Sequence, residues 1–155
     1  MLTVVNHYDR SCPTLYAGHS IGAGSVVEAL ERAAARSGLP KAITVDNGPE
    51  FAGQVLDAWA YQRGIHLDFI RPGKPTENGY IESFNGRLRD ELMNTEIFFT
   101  LEEATEKLEE WRQDYNTRRP HSALGYRPPQ EYRKQAVCNQ QRDPTTRQNL
   151  TLAPA

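Results

Sequence analysis

The sequence predicts an α/β fold in which helices cover both faces of a sheet that is at least partly parallel. Short runs of apolar and β-branched residues alternate with longer segments whose apolar residues recur at helical spacing, which is typical of such folds. The 155 residues suit one domain of ordinary size. A hydrophobic content of 38% and a charged content of 25% favour a water-soluble globule over a disordered chain.

The first half of the chain shows this alternation most clearly. Four strands are predicted, the first two as a β-hairpin, at residues 2–5, 14–17, 42–45 and 65–70. A helix is predicted over residues 23–36 and is closed by Gly38 and Pro40. A second helix is predicted to begin at Pro49, which suits a first turn, and to end at Gly64.

In the second half, two more amphipathic helices are predicted. The first follows Thr76, and the second begins after Thr100, whose hydroxyl suits a cap, and stops before Pro120. From His121 onward the periodicity is weak, and the final dozen residues, 144–155, are predicted to be disordered.

Charge divides the chain into an acidic body and a basic tail. Residues 1–110 carry a net charge of −7 and residues 111–155 one of +5, which together give the overall −2. The basic tail permits contact with nucleic-acid phosphates, and a solvated surface segment is the alternative. We therefore predict a core over residues 1–117 and a basic, partly disordered extension over residues 118–155.

Composition excludes several classes of protein. No apolar run approaches the roughly eighteen residues of a membrane span, and residues 1–10 lack the basic start and apolar stretch of a signal peptide. We therefore expect an intracellular protein with no membrane partner. Cys12 and Cys138 are too few and too far apart for a disulfide framework or a zinc site, so we expect both thiols to be free.

Asp46 stands where a predicted core strand ends and a turn begins. Open α/β sheets bind their ligands at the carboxyl ends of such strands. The alternative is a turn-forming or helix-capping residue within Asp-Asn-Gly-Pro, which position alone favours.

Glu82 is the second carboxylate that needs an explanation. At about 100 degrees per residue, a polar stripe runs beside the apolar face of its helix and consists of Asn78, Glu82, Asn85 and Arg89. Glu82 would thus lie at the edge of the buried face, where a carboxylate needs a partner or a metal. An ion pair with Arg89 or Lys74 is the alternative.

Together the two carboxylates predict a metal site. A strand-end Asp46 and a helical Glu82 that face the same edge of a sheet could hold divalent cations, and oxygen ligands favour Mg²⁺ or Mn²⁺ over zinc. Two such ions suit phosphoryl transfer, because one activates the attacking oxygen and the other stabilises the leaving oxygen. A third carboxylate is usually needed to bridge them.

Three long motifs carry a family resemblance. They are Val-Asp-Asn-Gly-Pro-Glu-Phe at 45–51, the run from Arg-Pro-Gly-Lys-Pro to Arg-Asp-Glu-Leu at 71–92, and Tyr-Asn-Thr-Arg-Arg-Pro-His-Ser-Ala-Leu-Gly-Tyr at 115–126. In this order, and with thirty-five residues between Asp46 and Glu82, the chain resembles the DDE transposases of bacterial insertion sequences. These are integrase-core proteins related to retroviral integrases.

The resemblance implies a three-layer, ribonuclease H-like fold and DNA strand transfer with Mg²⁺ or Mn²⁺. It implies that Asp46 and Glu82 are the second and third catalytic carboxylates. The first catalytic Asp of the family lies on a central strand before the hairpin that here begins at Leu2, and Asp9 in the hairpin turn is a poor substitute. We therefore expect a core that is incomplete and open at its N-terminal side, and weak or no activity of this chain in isolation.

Further contacts with double-stranded DNA are expected around this centre. The candidates are Lys74, Thr76 and Asn78 near the loop, Asn85 and Arg89 on the polar stripe, and Arg118 and Arg119 after the last helix. For Lys74 a merely exposed side chain is the alternative, and for His121 packing against the domain is favoured over phosphate contact.

Three functions remain open at this stage. The leading one is a transposase fragment that acts on element ends and target DNA in the bacterial cytoplasm, associated with the nucleoid. It would form homo-oligomers or assemble with full-length transposase. The second is a non-catalytic DNA-binding or dimerising remnant that modulates intact transposase. The third is a different metal nuclease on the same scaffold, which would cut DNA without joining it.

Overall fold

The fold was analysed in a computed structural model that describes residues 1–46, 48, 51, 53–70, 79–140 and 149–154. The strands are β1 (Leu2–Asn6), β2 (Thr14–Tyr16), β3 (Ala42–Val45), β4 (His66–Phe69) and β5 (Asn149–Pro154). The helices are α1 (Ala23–Ser37), α2 (Gln54–Arg63), α3 (Gly79–Leu88), α4 (Leu101–Thr117) and α5 (Pro129–Gln140). A π-helical turn at Arg89–Met93 continues α3, and a 3₁₀ turn at Ser122–Leu124 follows α4.

The five described strands form one mixed sheet in the order β2-β1-β5-β3-β4. β1 and β2 pair antiparallel, as the predicted hairpin requires, and β3 and β4 pair in parallel. β5 lies between these two pairs, antiparallel to β1 and parallel to β3. The α/β class and the partly parallel sheet predicted from the sequence are therefore confirmed.

The C-terminal strand differs from the sequence prediction. Disorder was predicted for residues 144–155, whereas Asn149–Pro154 form β5 at the centre of the sheet. The resemblance assigns this central position to a strand that precedes Leu2, and its loss was expected to open the core. In the structure β5 takes the position and Leu152 is fully buried there. The prediction failed because Leu150 and Leu152 alternate over too few residues to stand out from the polar tail.

The two faces of the sheet carry separate hydrophobic cores, which confirms the three layers. The first core lies beneath α1 and α2 and includes Val26, Leu30, Ile43, Val45 and Leu152. The second lies beneath α3 and α4 and includes Val5, Ile81, Phe84, Leu108 and Tyr115. Because side chains alternate along a strand, the residues next to Val45 and Leu152 face the α3 side.

Helix ends follow local sequence signals. The backbone N–H of Glu103 donates to the Thr100 hydroxyl at 3.1 Å, which confirms the predicted cap of α4. Gly64 ends α2 in the left-handed conformation that glycine favours. α2 begins at Gln54, later than predicted, and α5 was not predicted. The division of the chain between residues 117 and 118 stays a prediction.

Within the described ranges, no helix is both long and apolar enough to span a bilayer. Cys12 is a free, buried thiol, as expected, and burial raises its pKa to about 12. Its sulfur donates to the carbonyl of Thr14 at 3.4 Å. Cys12 is therefore a core residue with little thiolate character.

Candidate functional site

Asp46 directly follows β3 and closes a tight turn. Its Oδ1 accepts a hydrogen bond from the backbone N–H of Gly48 at 2.9 Å, so the turn-forming interpretation is confirmed. The backbone N–H of Ile70 donates to the carbonyl of Val45 at 3.0 Å, so β3 stays paired with β4 up to its end. Because Val45 points into the core beneath α1 and α2, Asp46 begins the turn on the α3 face of the sheet.

Glu82 lies in the first turn of α3 with its side chain exposed. Three residues later on the same stripe, Asn85 accepts a hydrogen bond from the Thr3 hydroxyl through Oδ1 at 2.9 Å. The inner edge of the predicted polar stripe therefore faces the sheet. The alternative ion pair of Glu82 with Arg89 is absent from the described part of the chain, and Lys74 lies outside that part.

The register of the sheet relates these two carboxylates. Thr3 is opposite Ala153, and Leu152 is opposite Val45, so Thr3 and Asp46 lie at the same level with β5 between them. Two strand spacings separate their backbones, roughly 10 Å. Asp46 and the polar stripe of α3 thus belong to one face and one end of the sheet, which we call the acidic edge. That Asp46 and Glu82 share an ion stays a prediction.

Asp9 cannot contribute to the acidic edge. It follows β1, which runs antiparallel to β3 through the intervening β5, so Asp9 lies at the opposite end of the sheet. The residue is fully buried, and its Oδ1 accepts hydrogen bonds from the backbone N–H of Ser11 at 2.9 Å and from the Ser11 hydroxyl at 2.5 Å. Its role is to shape the hairpin turn.

The described residues do not form a complete set of metal ligands at the acidic edge. No group of three or more His, Cys, Asp or Glu side chains within the described ranges is arranged to hold a metal ion. On β5, Thr151 is buried between Thr44 and Val5, and its hydroxyl has no hydrogen-bond partner in that part of the chain. The available donors are oxygens, which suit Mg²⁺ or Mn²⁺, but two carboxylates give an incomplete set.

The other predicted DNA contacts are distributed over several elements. Lys74, Thr76 and Asn78 lie outside the described residues. Arg89 is exposed in the π-helical turn. Arg118 is exposed and pairs with Asp114 at 3.6 Å, whereas Arg119 is half-buried and pairs with Glu91.

Sequence reasoning missed a second site, on the other side of α3. A cavity of about 510 Å³ is lined by Arg10 from the hairpin turn, Arg87 from α3, and Arg119 and His121 from the segment after α4. We call these four residues and the cavity they line the basic pocket. The Arg-Arg-Pro-His motif signalled only Arg119 and His121, because Arg10 and Arg87 come from distant segments.

His121 is the buried member of the basic pocket. Its ring packs edge-on against Tyr115 with 4.9 Å between centroids, so the predicted packing role is confirmed. Burial, and then the positive charges of Arg87, Arg119 and Arg10, lower the pKa of His121 to about 4. The imidazole is therefore neutral at physiological pH.

Family models match most of the chain. A model described as integrase core domain matches residues 1–75, and a second model with the same description matches residues 63–129. The chain is 49% identical over 131 residues to a 31.7 kDa protein of insertion element IS407 from Burkholderia multivorans, an alignment that covers 84% of this chain and 47% of the relative.

Two further relatives come from insertion elements. A 39.2 kDa protein of IS476 from Xanthomonas euvesicatoria is 44% identical, with 84% of this chain and 38% of the relative covered. A transposase of IS904 from Lactococcus lactis is 32% identical, with 59% and 37% covered. The chain spans about half or less of the length of these relatives.

Solved structures share the fold at low sequence identity. The catalytic core domain of BIV integrase superposes with a TM-score of 0.69 at 19% identity, covering 89% of this chain and 88% of that one. The HTLV-2 integrase catalytic core in complex with magnesium gives a TM-score of 0.66 at 17% identity, covering 84% and 82%. The fold is thus the ribonuclease H-like fold of integrase cores.

Fold and sequence now agree on the class of protein. The chain belongs to the integrase core family, among the DDE transposases of insertion sequences.

Proposed function

We propose that this chain takes part in DNA transposition and holds a DNA strand at a divalent metal site formed by Asp46 and Glu82. The observation that carries the proposal is the common position of Asp46 and the α3 polar stripe at one end and on one face of the sheet. Two hard oxygen donors brought to the carboxyl end of a central parallel strand suit phosphoryl transfer.

The reaction is a displacement at phosphorus. A hydroxyl oxygen of water or of a DNA 3′ end attacks a backbone phosphate, the bond from phosphorus to the original 3′ oxygen breaks, and that oxygen leaves with a proton. Bound divalent ions would supply charge stabilisation at the attacking and leaving oxygens. Asp46 and Glu82 would hold the ions, and Asn85 would fix the position of α3 over β1 through Thr3.

Activity of the chain alone is expected to be weak, because Asp46 and Glu82 provide two of the three carboxylates such a centre needs. The test is cleavage and joining of labelled DNA that carries the terminal repeats of the element, with Mg²⁺ or Mn²⁺. We expect slow nicking that is lost in Asp46→Asn and in Glu82→Gln. Robust joining by the unmodified chain, or nicking that survives both substitutions, would contradict the proposal.

A second function is favoured by the incomplete ligand set. Because no third metal-binding carboxylate is found among the described residues, the chain could serve as a non-catalytic DNA-binding module that modulates intact transposase. This alternative predicts DNA binding that is unchanged by EDTA and by Asp46→Asn. The same DNA assay separates the two functions, because only the enzyme produces nicked strands.

We also propose that the partners are double-stranded DNA and further copies of a transposase chain, in the cytoplasm and at the nucleoid. The structural neighbour from HTLV-2 occurs in dimeric and trimeric forms. On this chain, Ile97 and Phe99 are large apolar side chains exposed between α3 and α4. They offer an apolar surface for self-association, which Phe99→Ser should weaken in sedimentation measurements.

A further inference from the structure

The basic pocket lies on the side of α3 away from the acidic edge. Tyr80, Ser83 and Arg87 line it, whereas Asn85 on the opposite side of the helix contacts β1. The pocket floor is formed by Phe84 and Tyr115, whose rings pack edge to face with centroids 4.9 Å apart. The cavity is open and of the size that binds a small ligand.

Three side chains that line the pocket each have a buried donor atom without a partner in the described part of the chain. The Nη1 atoms of Arg10 and Arg119 and the Nε2 atom of His121 are buried and make no hydrogen bond within the described ranges. His121 as a whole is only 7% exposed. These atoms are closed off from solvent, so they reach a ligand in the cavity only if their side chains turn toward it. Because leaving buried donors unpaired is costly, a ligand with several acceptor oxygens would favour that turn.

The charge of the pocket is unbalanced. Its described lining contains three arginines and one glutamate, Glu91, whose carboxylate already accepts from Arg119 and, at 3.0 Å, from Nε1 of Trp111. Arg10 lies over the ring of Tyr80 at 3.6 Å and is held there by the aromatic face. The excess positive charge therefore suits an anion.

Aromatic side chains stand at the rim. Tyr80 and Tyr126 are 51% and 76% exposed, and both line the cavity. Tyr126 has a φ of +59°, a left-handed backbone conformation that is uncommon for a residue with a large side chain. Exposed aromatic rings beside arginines are the arrangement with which proteins bind single nucleic-acid strands, because bases stack on the rings.

We propose that the basic pocket binds one phosphate group of a DNA strand, with the adjoining base against Tyr126. This inference deepens the proposed function, because it assigns the site that holds the strand on the far side of α3 from the carboxylates. Arg10, Arg87 and Arg119 donate to the phosphate oxygens, and neutral His121 donates through Nε2 when its proton is on that nitrogen. The pocket positions the strand and takes no part in bond breaking.

The test is binding of a fluorescent single-stranded oligonucleotide to the whole chain, followed by anisotropy in EDTA at low salt. Arg87→Gln and Arg119→Gln should each weaken binding about tenfold, as expected for loss of a charge-assisted contact. The matched control is Arg32→Gln on α1, since Arg32 also pairs with a glutamate, Glu28, and also lies over a tyrosine ring, Tyr16. Arg32 lies on the opposite face of the sheet, so Arg32→Gln should change the affinity for the oligonucleotide less than twofold.

Each outcome decides the matter. Equal weakening by the pocket variants and by Arg32→Gln would overturn the proposal, since binding would then follow overall charge. Lack of binding to the unmodified chain would also overturn it. Competition by thymidine monophosphate at the same concentration as the oligonucleotide would overturn the assignment to a strand and identify a free-nucleotide site instead.

The same variants show whether weaker binding comes from loss of protein stability. Arg119→Gln removes the Glu91 partner and could unfold the chain, but Arg87 is exposed at the helix surface, so Arg87→Gln tests the pocket independently. Because the assay contains EDTA, it does not depend on the metal site. If the unmodified chain binds the oligonucleotide but does not nick DNA, only the proposed function is rejected. If it nicks DNA but does not bind the oligonucleotide in EDTA, only the pocket is rejected.

Discussion

The two sides of α3 differ in charge and in how their residues are assembled. On one side, Asn85 accepts a hydrogen bond from Thr3 of β1, and the polar stripe that it shares with Glu82 forms the acidic edge with Asp46. On the other, Arg87 faces the cavity that it shares with Arg119. The acidic edge is made from two motifs, whereas the basic pocket collects residues from the hairpin turn, α3 and the segment after α4.

This difference shows how one helix can separate two roles. A metal site needs carboxylates at fixed positions, and in the proposed function the end of β3 and the inner stripe of α3 would supply them. A phosphate site needs donors that converge from several directions, and the surrounding loops supply them. Substitutions that affect both sides, or only one, test whether the two roles are separate.

The largest effect should come from Leu152→Asp. Leu152 is fully buried in β5, the strand that joins the two halves of the sheet, and a carboxylate there would be desolvated and unpaired. We expect a loss of about 4 kcal/mol or more in unfolding free energy, with both sites lost together. Urea denaturation measures it.

Val137→Asp is the control for this change. Val137 is an apolar residue exposed on α5, so the same new charge should cost less than about 0.5 kcal/mol. A Leu152→Asp chain that keeps its stability would mean that β5 does not complete the sheet.

A smaller effect should follow from pH, and His121 of the basic pocket should contribute to it. The pKa of His121 is about 4 in the folded chain, against an ordinary value of 6.5, because of burial and then Arg87, Arg119 and Arg10. The unfolded chain therefore binds more protons between these values, and stability falls as pH drops from about 6.5 toward 4. We expect a loss of about 2 kcal/mol between pH 7 and pH 5.

This pH effect is isolated by substitution. In His121→Gln the difference between urea unfolding curves at pH 7 and pH 5 should shrink. His66→Gln, which alters an exposed histidine paired with Asp68 at 2.9 Å, should leave it unchanged. An undiminished pH effect in His121→Gln would mean that folding does not lower the pKa of His121.

Thr151→Asp tests the acidic edge and should have the smallest effect on ligand affinity. Because Thr151 is buried, the new carboxylate should also destabilise the metal-free chain, as at Leu152. Thr151 lies on β5 beside Thr44, two residues before Asp46, and its buried hydroxyl has no partner among the described residues. A carboxylate there would add a third ligand and should tighten Mn²⁺ binding about tenfold, roughly 1.4 kcal/mol, in calorimetry. Thr151→Asn has the same shape without the charge and should show no gain in Mn²⁺ affinity. Equal Mn²⁺ affinities of the Asp and Asn variants would exclude Thr151 from the metal site.

Most of the fold could be predicted because its local signals are strong. Ala42–Val45 is a β-branched apolar run bounded by Lys41 and Asp46, and the strand has those limits. Thr100 followed by acidic residues fixed the start of α4. β5 and α5 could not be predicted, because β5 is defined by its pairing with β1 and β3, and pairing partners are not visible in six residues.

The candidate site was predictable in part for the same reason. Asp46 and the polar stripe could be placed on the sheet face from alternation and helical period, and the Asn85 hydrogen bond to Thr3 confirms the orientation of that stripe. The basic pocket could not be predicted, since nothing in the sequence relates Arg10 to Arg119 before α3 and α4 pack together.

The central claim is that Asp46 and Glu82 bind one ion jointly, and Mn²⁺ titration followed by electron paramagnetic resonance tests it most directly. Asp46→Asn and Glu82→Gln should each weaken binding at least about tenfold, and the double variant should be no weaker than the worse single variant, because either change removes the shared ion. Wild-type affinity in Glu82→Gln, with loss confined to Asp46→Asn, would contradict the account, since the carboxylate on α3 would then have no part in the site.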